Sequence, residues 1–465
     1  MENFYIRDVV KATGGRLLCG NPDTQVCTLS TNSKEIGEKC LFVPIIGERV
    51  DAHKFIDGAV SAGAVAVLTS EHDRLDIAVP AIRVEDTVKA MQEIGRAYGM
   101  SIKIPKVGIT GSVGKTTTKE MVACALGAGF KVFKTSGNNN SQVGVPNTLS
   151  KLSGTDEIAV IEMGMSMPGE MKRLAQLVEL DCAVVTNIGV SHIEALGSRD
   201  GICREKFHIA DALGDNGCMF LNGDDDILKV HKKELDKPVI TFGIEEGNDY
   251  RAVNIEKTAV GTRFDIEKSA SVICNVVLNV AGIHNVRNAL VSVAVADRYG
   301  IAPQKAADAL GNYGGVAMRQ QISMVDGITI IDDSYNASPD SMKAGIDVLC
   351  SVPCSGKRIA VLADMMELGD KSPEYHRQVG EFIKGMKVDE LVLLGSLASY
   401  IGEGAGASDI KITQAETRQE AEEYLEKTLR AGDAVLFKGS RVMELNRCVE
   451  ALKKSKEEAK NGQNN

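Results

Sequence analysis

Short runs rich in Val and Ile alternate along the chain with longer segments that mix apolar and charged residues. The runs at 106–110 (KVGIT), 157–162 (EIAVIE) and 182–187 (CAVVTN) are apolar at successive positions, which is typical of buried parallel strands. The longer segments between them have the spacing of amphipathic helices. The pattern therefore predicts an α/β fold in which strands of open parallel sheets alternate with helices.

Three regions differ in this pattern, and 465 residues suffice for three domains at roughly 150 residues each. Residues 1–103 hold short strands and turns, and residues 104–315 hold the buried strands named above. Residues 316–465 repeat the alternation and end in a polar tail, from about residue 453, that we expect to fray. The strands predicted in this last region are 328–331, 358–363, 390–394 and 433–437.

Composition and charge exclude several classes of protein. The chain has 53 Lys and Arg against 63 Asp and Glu, and a net charge of −10 disfavours non-specific binding to nucleic acid or anionic membranes. Aromatic residues are 4% of the chain and Trp is absent, so a base-stacking platform is not expected. We find no apolar run of membrane-spanning length and no secretory signal. The 11 Cys include no CxxC pair, which favours a reducing compartment, and we expect a cytoplasmic protein.

The strongest local motif is GITGSVGKTT at residues 108–117, between a predicted strand and a predicted helix. Glycines let backbone N–H groups surround phosphates, Lys115 would neutralise their charge, and the Thr116 hydroxyl would reach Mg²⁺. The strict spacing GxxxxGK[ST] fails at Ile109, and the shorter form TGxxGKT matches. The alternative is a glycine-rich turn before a core helix. We predict a nucleoside triphosphate site built from Thr110, Gly111, Ser112, Val113, Gly114, Lys115, Thr116 and Thr117.

Polar side chains follow two further predicted strands where those strands end. Glu162 closes EIAVIE, Asn187 closes CAVVTN, and His192 follows five residues later. Because ligands bind at the carboxyl ends of parallel strands, Thr116, Glu162 and His192 are expected to converge on one edge of the sheet. A carboxylate and an imidazole there would suit a divalent metal beside phosphates. The alternatives are a helix N-cap for Glu162 and a loop hydrogen bond for His192.

Three other positions leave two interpretations open. Lys206 falls on a predicted helix, where an isolated lysine is ordinarily a solvated surface residue. Asn285 and Asn288 open another helix and could read an adenine or cap that helix. Asp332 and Asp333 end the strand ITIIDD, where they could bind a ribose or a metal, or belong to a loop rich in N-caps.

Taken together, these motifs resemble the Mur ligase family from about residue 30 to residue 452. Three of the matching segments point, within the family, to the enzymes that add D-alanyl-D-alanine. These are LFVPIIGERVDAHKFI at 41–56, SYNxxPDSM and DMMELG. The resemblance implies a small N-terminal UDP-substrate domain, a central P-loop ATPase domain with a parallel sheet, and a mobile C-terminal Rossmann-like lid. The segments are 41–56 (LFVPIIGERVDAHKFI), 110–121 (TGSVGKTTTKEM), 137–149 (GNNNSQVGVPNTL), 281–290 (AGIHNVRNAL), 332–342 (DDSYNASPDSM), 363–369 (ADMMELG) and 437–444 (FKGSRVME).

The resemblance also implies roles for individual residues. Lys115 would hold the triphosphate, and Lys206 would react with CO₂ to form a carbamate beside Mg²⁺, against the surface interpretation above. The implied catalytic residues are Lys115, Glu162, His192 and Lys206. The implied metal-site residues are Thr116, Glu162, His192 and Lys206. Beyond the phosphate loop, the implied ATP-binding residues are Asn285, Asn288, Arg319 and Asp333.

Substrate contacts are implied in two places. The UDP-sugar would meet the N-terminal domain and the 137–144 loop, and the dipeptide would meet the C-terminal domain. Asn32-Ser33-Lys34 stands where the family has Asp-Ser-Arg, so this pocket departs from the family pattern. The implied substrate-binding residues are Ser33, Asn138, Asn140, Ser141, Tyr335, Asn336, Lys438, Ser440 and Arg441.

The implied reaction is acyl activation with ATP. The terminal carboxylate of UDP-N-acetylmuramoyl-tripeptide attacks the γ-phosphate, and the amine of D-alanyl-D-alanine then displaces phosphate from the acyl phosphate. One alternative is a paralogue that joins a different amino acid or peptide by the same chemistry. Another is an inactive nucleotide-binding protein with a regulatory role. We expect a monomer without a nucleic-acid partner.

Overall fold

The computed structural model describes residues 1–258, 261–406 and 409–462. Their strands form three sheets, which use residues 16–83, 106–278 and 321–438 in turn. Helices flank mostly parallel strands in each sheet, so the predicted α/β class is confirmed. The predicted domain boundaries, after residues 103 and 315, lie between the sheets and stay predictions.

The N-terminal sheet has five strands in the order β1-β5-β4-β3-β2. Only β1 runs antiparallel to its neighbour, and the other pairs are parallel. Helix α3 begins at Asp86, whose carboxylate accepts the N–H groups of Val88 at 2.7 Å and Lys89 at 3.0 Å. The elements are α1 Ile6–Thr13, β1 Arg16–Cys19, β2 Thr28–Ser30, β3 Cys40–Phe42, α2 Ile56–Ser61, β4 Ala66–Thr69, β5 Ala81–Arg83 and α3 Thr87–Ser101.

The central sheet has nine strands in the order β14-β13-β12-β11-β10-β9-β6-β8-β7. Strands β7 to β12 are joined by parallel pairings, so the chain leaves β6, β8 and β9 at the same edge. The antiparallel extension β12–β14 was not predicted from the sequence. The elements are β6 Lys106–Thr110, α4 Lys115–Leu126, β7 Val132–Lys134, α5 Gly144–Leu149, β8 Ile158–Glu162, α6 Glu170–Ala175, β9 Leu180–Val185, α7 Ile193–Leu196, α8 Arg199–Phe207, β10 Leu213–Asn222, α9 Asp226–His231, β11 Val239–Gly243, β12 Tyr250–Lys257, β13 Thr262–Lys268, β14 Ser271–Leu278, α10 Ile283–Arg298 and α11 Pro303–Leu310.

The C-terminal sheet has six strands in the order β15-β16-β20-β17-β18-β19. Strand β15 is an antiparallel edge, and the remaining pairs are parallel. The last helix continues to Gly462, so residues 453–462 are helical where a frayed polar tail was expected. The elements are β15 Gln321–Val325, β16 Ile328–Asp332, α12 Pro339–Ser351, β17 Arg358–Ala363, α13 Ser372–Ile383, β18 Glu390–Leu394, α14 Ser399–Ala405, β19 Lys411–Ala415, α15 Arg418–Thr428, β20 Ala434–Lys438 and α16 Leu445–Gly462.

The hydrophobic cores do not divide as the sheets do. One continuous core joins residues of the N-terminal sheet and α3 to residues of the central sheet. At this junction Gly95 lies against Pro146, and a Cβ at position 95 would lie 2.6 Å from the Pro146 Cα. The C-terminal sheet has separate cores on its two faces, and the partly buried Val190, from the loop after β9, packs against one of them. The first two sheets therefore form one packed body.

Within the part of the chain that the structure describes, no helix combines the length and the apolar character needed to cross a bilayer.

An imidazole joins α8 to α9 and makes the stability of this region depend on pH. His231 is buried, and its Nε2 lies 2.8 Å from Asp200 Oδ1 while its Nδ1 lies 2.8 Å from Glu234 Oε1. The hydrogen bond to Asp200, aided by Glu234, raises the pKa of His231 above its usual value of 6.5. The protonated ring thus stabilises the folded state below about pH 6.5, and this contribution disappears as the pH rises through the raised pKa.

We therefore expect His231→Gln to lose free energy of unfolding near pH 6 and to approach the wild type at higher pH. Urea unfolding between pH 5.5 and 8.5 measures this difference. His72→Gln is the matched control, because the His72 ring contacts the Thr69 hydroxyl at 3.0 Å rather than a carboxylate. A loss that is constant across the pH range would mean that the protonated ring contributes nothing.

Candidate active site

The phosphate loop between β6 and α4 has a backbone that requires glycine. Gly111 and Gly114 have φ angles of 151° and 85°, which residues with a Cβ rarely adopt. A Cβ at Gly111 would also lie 1.8 Å from Thr186 Oγ1. Thr186 donates its hydroxyl to Val113 O at 2.6 Å, and Asn187 accepts the Val113 N–H at 2.9 Å. The segment after β9 therefore holds the loop in shape.

Lys115 and two loop hydroxyls face the inside of this loop. Lys115 Nζ donates to Gly111 O at 2.8 Å, and burial, with a contribution from the positive charge of Arg319, lowers its pKa, opposed by Glu162. The buried hydroxyls of Thr110 and Ser112 have no hydrogen-bond partner among the described residues. Buried polar groups are normally hydrogen-bonded, so this arrangement fits a ligand with acceptor oxygens such as a polyphosphate.

Glu162 ends β8 beside the loop. Its Oε1 accepts the Thr116 hydroxyl at 3.2 Å and the Asn140 side-chain amide at 2.7 Å. Its buried Oε2 has no hydrogen-bond partner within the described chain, and the Lys119 ammonium lies 3.7 Å away. A hydroxyl and a free carboxylate oxygen beside a phosphate loop are oxygen donors of the kind that Mg²⁺ prefers. Thr116 and Glu162 thus lie together, as predicted from the sequence, and both fit a magnesium ion.

His192 has a partner that was not predicted from the sequence. Its Nδ1 lies 2.5 Å from Glu367 Oε2 of the C-terminal domain, which lowers the pKa of that carboxyl. No hydrogen bond or ion pair joins His192 to Thr116 or Glu162 in the described ranges. Nor do any three His, Cys, Asp or Glu side chains of those ranges form a group that could hold a metal ion. The role of His192 at a metal therefore stays a prediction, and its observed partner lies across the domain boundary.

Lys206, at the end of α8, is not a surface lysine. Its side chain is 1% exposed, and burial, followed by the positive charge of Lys115, lowers its pKa well below the usual value, opposed by Glu205. No hydrogen bond or ion pair engages its amine among the described residues. A lowered pKa favours the neutral amine over the ammonium, and the neutral amine is the form that reacts with CO₂.

A polar cavity of about 230 Å³ lies next to the loop, between the central and C-terminal domains. Asn288 lines it and accepts the Thr118 hydroxyl at 3.0 Å. Helix α10 begins after Gly282 without a side-chain cap, and Asn285 donates instead to Ala281 O at 2.7 Å. Neither asparagine therefore acts as the N-cap, and the predicted adenine role of this pair stays open. The lining residues are Thr186, Asn187, Ile188, Gly189, Arg199, Asn222, Asp225, Phe242, His284, Arg287, Asn288 and Asp340.

The C-terminal domain contributes a buried ion pair. Lys438 Nζ lies 2.6 Å from Asp333 Oδ2 and donates to Asn336 O at 3.2 Å. Burial raises the pKa of Asp333, and the charges of Lys438 and Arg319 oppose that rise. The two residues predicted to meet the dipeptide and ATP thus bind each other. Their pairing positions the segment after β16 at the domain boundary.

Breaking that pair is expected to destabilise the protein strongly. Lys438→Met leaves the Asp333 carboxyl buried without its counter-charge, and we expect a loss of about 3–5 kcal/mol in the free energy of unfolding. Lys357→Met is the control, because Lys357 is 62% exposed and lies 3.9 Å from Glu390. Glu390 is buried but keeps a second cation, Lys411, at 3.3 Å, so removal of the exposed Lys357 is expected to cost less than about 1 kcal/mol. Equal losses in urea unfolding of the two variants would contradict the prediction.

Two guanidinium groups lie over one aromatic ring at the same boundary. The Cζ atoms of Arg319 and Arg441 are 4.1 Å and 5.7 Å from the centroid of the Tyr335 ring. Among the described residues neither arginine forms an ion pair with a carboxylate. Both cations are thus available to an anionic ligand and are held by a rigid aromatic surface.

The remaining predicted substrate residues have mostly structural contacts. Ser141 Oγ accepts the Gly144 N–H at 3.2 Å where α5 begins, and Ser440 Oγ accepts the Met366 N–H at 2.9 Å. Asn138 is exposed, and Ser33 is half-buried at the surface of the N-terminal domain. Ser33 follows a strand of the N-terminal sheet, whereas Asn138, Asn140 and Ser141 lie in the loop between β7 and α5. That all four bind the same UDP-sugar therefore stays a prediction.

Three residues were not singled out from the sequence although they contact the site. Lys119 lies on the buried face of α4, Glu367 pairs with His192, and Gln320 Oε1 lies 2.7 Å from His284 Nε2. Of these, Glu367 lies in the matching segment 363–369, and Lys119 left a signal in helix α4. It follows Lys115 by four residues and therefore shares its helix face, in a helix that is otherwise apolar on that side.

Comparisons with known proteins agree with this arrangement. A model of the Mur ligase middle domain matches residues 109–296, which hold the phosphate loop, Glu162, His192 and Lys206. A model of the Mur ligase glutamate ligase domain matches residues 318–441, which hold Arg319, Asp333 and Lys438.

Relatives with curated names match over nearly the full length. The UDP-N-acetylmuramoyl-tripeptide–D-alanyl-D-alanine ligase of Bacillus subtilis is 35% identical over 460 residues, covering 96% of this chain and 98% of the relative. The enzyme of the same name from Escherichia coli is 33% identical over 442 residues, covering 93% of this chain and 95% of the relative.

Solved structures extend the likeness to the fold. A crystal structure of MurF from Acinetobacter baumannii superposes with a TM-score of 0.89 at 29% identity, covering 98% of this chain and 99% of that chain. MurF from Thermotoga maritima in complex with ADP superposes with a TM-score of 0.82 at 29% identity, covering 93% of this chain and 98% of that chain. On the strength of the two domain models and the full-length relatives, the chain belongs to the Mur ligase family.

Proposed function

We propose that this protein is an ATP-dependent ligase that joins D-alanyl-D-alanine to UDP-N-acetylmuramoyl-tripeptide, giving ADP, phosphate and the pentapeptide precursor of peptidoglycan. The names of the full-length relatives support the choice of substrates. The observation that carries the chemistry is the set of Lys115, Thr116 and Glu162 at the phosphate loop, of which Thr116 and Glu162 are buried. Neither an altered substrate nor an inactive regulatory protein is favoured by any feature of this site.

The phosphate loop and its neighbours prepare the first step. The N-terminus of α4, which begins after Gly114, orients the triphosphate with its first backbone N–H groups. Lys115 and Arg319 offset the charge that accumulates as the substrate carboxylate approaches the γ-phosphate. Thr116 and Glu162 would hold Mg²⁺, which supplies further charge neutralisation when bound. The substrate carboxylate attacks the γ-phosphorus, the bond to ADP breaks, and an acyl phosphate is formed.

Lys206 is suited to a carbamate beside this site. Its neutral amine attacks the carbon of CO₂, an N–C bond forms, and one proton is released to solvent. The product is an anion. The positive charge of Lys115, which lowers the pKa of Lys206 and so disfavours its ammonium form, would stabilise this anion. A carbamate would therefore lie favourably next to Lys115 and the metal.

The second step requires the C-terminal domain. The amine of D-alanyl-D-alanine attacks the acyl carbonyl carbon, and phosphate leaves with the electrons of the C–O bond. Arg319 and Arg441, lying over Tyr335, offer positive charge for the anionic groups of the nucleotide and the dipeptide. Closure of this domain over the central one would exclude water, which otherwise hydrolyses the acyl phosphate.

The UDP-sugar is assigned to the N-terminal domain and the 137–144 loop. Ser33 lies at the surface of that domain, and Asn140 connects the loop to Glu162 at 2.7 Å. Through this contact the loop reaches the nucleotide site. We also infer a cytoplasmic monomer, consistent with substrates that are nucleotide-linked and charged.

The test is phosphate release from ATP in the presence of UDP-N-acetylmuramoyl-tripeptide, with and without D-alanyl-D-alanine, together with mass analysis of the product. We expect release only when both substrates are present, and a product heavier than the tripeptide substrate by the dipeptide less water. Release with a different amine instead of D-alanyl-D-alanine would indicate the paralogue. Tight ATP binding without release under any condition would indicate the regulatory protein.

A further inference from the structure

A fully buried lysine lies behind the carboxylate of the site and has no role in the reaction described above. Lys119 is one turn beyond Lys115 on α4, and its relative exposure is 0%. Its ammonium donates to Thr135 O at 2.7 Å and Gly137 O at 3.1 Å. Burying a lysine costs free energy unless its charge is compensated, so packing alone does not account for a lysine at this position.

The acidic neighbours of Lys119 show where its charge acts. Glu120 Oε1 lies 3.1 Å from the ammonium, and Glu162 Oε2 lies 3.7 Å from it. At 3.7 Å, the Lys119 ammonium and Glu162 Oε2 form an ion pair but no hydrogen bond. Glu162 Oε2 has no hydrogen-bond partner in the described ranges. Lys119 therefore compensates the Glu162 charge while leaving that oxygen able to accept another ligand.

The same lysine closes a ring through the 135–140 segment. Lys119 binds the carbonyls at the start of that segment, and Asn140 at its end donates to Glu162 Oε1 at 2.7 Å. Thr135 also accepts the backbone N–H of Glu162 with its hydroxyl at 2.9 Å. The segment thus contacts Glu162 at the backbone and at both carboxylate oxygens, directly or through Lys119.

We propose that Lys119 is a positioning residue, which orients Glu162 toward a divalent cation and couples that carboxylate to the loop that begins at residue 135. The proposal rests on the proposed function only for the identity of the nucleotide, because the coupling concerns Mg²⁺ and ADP alone. Binding of Mg²⁺·ADP should then order the backbone of this loop, and removal of the lysine charge should weaken the effect of Mg²⁺ on the nucleotide.

The first experiment uses the unmodified protein. Amide hydrogen–deuterium exchange is compared with ADP plus Mg²⁺ and with ADP plus a chelator. We expect residues 135–144 to exchange at least fivefold more slowly with Mg²⁺, although they do not belong to the phosphate loop. Equal exchange in the two conditions would overturn the proposal, whether or not any variant folds.

The second experiment compares Lys119→Met with Lys134→Met. Lys134 is an exposed lysine that also pairs with Glu120, so its removal takes a cation from the same cluster without touching Glu162. Calorimetry of ADP binding over a series of Mg²⁺ concentrations is the readout. We expect the gain in ADP affinity on adding Mg²⁺ to fall at least tenfold in Lys119→Met, to be partly restored in Lys119→Arg, and to be unchanged in Lys134→Met.

A purely structural role predicts a different result. Lys119→Met would then lower the melting temperature but keep the wild-type dependence on Mg²⁺, which would overturn the proposal. Steady-state kinetics of Lys119→Met also distinguish the two roles. If Lys119 is a positioning residue, the variant needs more Mg²⁺ to reach its maximal kcat and also has a higher KM for the UDP-linked substrate. Failure of the wild type to make the pentapeptide would contradict the proposed function and leave these binding results standing.

Discussion

Lys206→Ala is expected to lose turnover almost completely, by about 10²- to 10³-fold in kcat, the effect of removing one preorganised charged group from an active site. Because burial and the charge of Lys115 lower the pKa of Lys206 and so favour its neutral amine, the wild-type side chain is suited to take up CO₂ and present an anion at the site. Alanine can form no carbamate, so added bicarbonate should not restore activity. Lys206→Arg should be equally inactive, since a guanidinium keeps its charge and its proton. Phosphate release at saturating substrates measures the loss.

Arg204→Ala is the matched control, because Arg204 is an exposed residue of the same helix and lies two positions away. It should keep wild-type turnover. A direct readout comes from ¹³C-labelled bicarbonate, which should give a carbamate carbon signal in the wild type and none in Lys206→Ala. Full activity of Lys206→Ala would refute the carbamate, and an inactive variant with an unchanged carbon signal would place the carbamate elsewhere.

Lys115→Met is expected to reduce kcat by about 10²- to 10³-fold and to weaken ATP binding, because the γ-phosphate loses its nearest cation. Thermal stability, by contrast, should not decrease. Burial lowers the pKa of Lys115, so replacement by an apolar side chain of similar length removes a desolvation cost. We therefore expect a melting temperature equal to or above that of the wild type. Calorimetry with ATP and thermal unfolding in the absence of nucleotide measure the two effects.

Lys172→Met, at an exposed position of α6, controls for the loss of one positive charge. A marked destabilisation of Lys115→Met would mean that its bonds to Gly111 O and Ser112 O maintain the loop. Unchanged kcat with weakened binding would assign Lys115 to ground-state affinity alone.

The parallel strands and the phosphate loop could be read from the sequence because each depends on local pattern. Runs such as KVGIT must be buried on both faces, and the glycines at 111 and 114 are required by their positive φ angles. The antiparallel extension β12–β14 escaped this reasoning. Strands β12 and β13 carry charged residues at exposed positions, and their pairing is set by tertiary contacts rather than by an apolar run.

The candidate site was predictable in type but not in pairing. Thr116 and Glu162 meet because both follow neighbouring strands of one sheet, a consequence of topology. The partners of His192, Lys438 and Lys119 depend on how loops and domains pack, which no spacing along the chain encodes. The resemblance to a family supplied the interpretation of Lys206, which helical periodicity alone could not distinguish from a surface lysine.

The continuous core beneath the first two sheets has a consequence for how this protein tolerates change. We expect the three sheets to unfold as two cooperative units, because Gly95 packs against Pro146 and a shared core joins the first sheet to the second, while the third has cores of its own. A destabilising substitution in the N-terminal sheet is therefore transmitted to the nucleotide site as a loss of folded enzyme. The C-terminal unit, by contrast, can accumulate substitutions in its core without unfolding the body that binds the nucleotide.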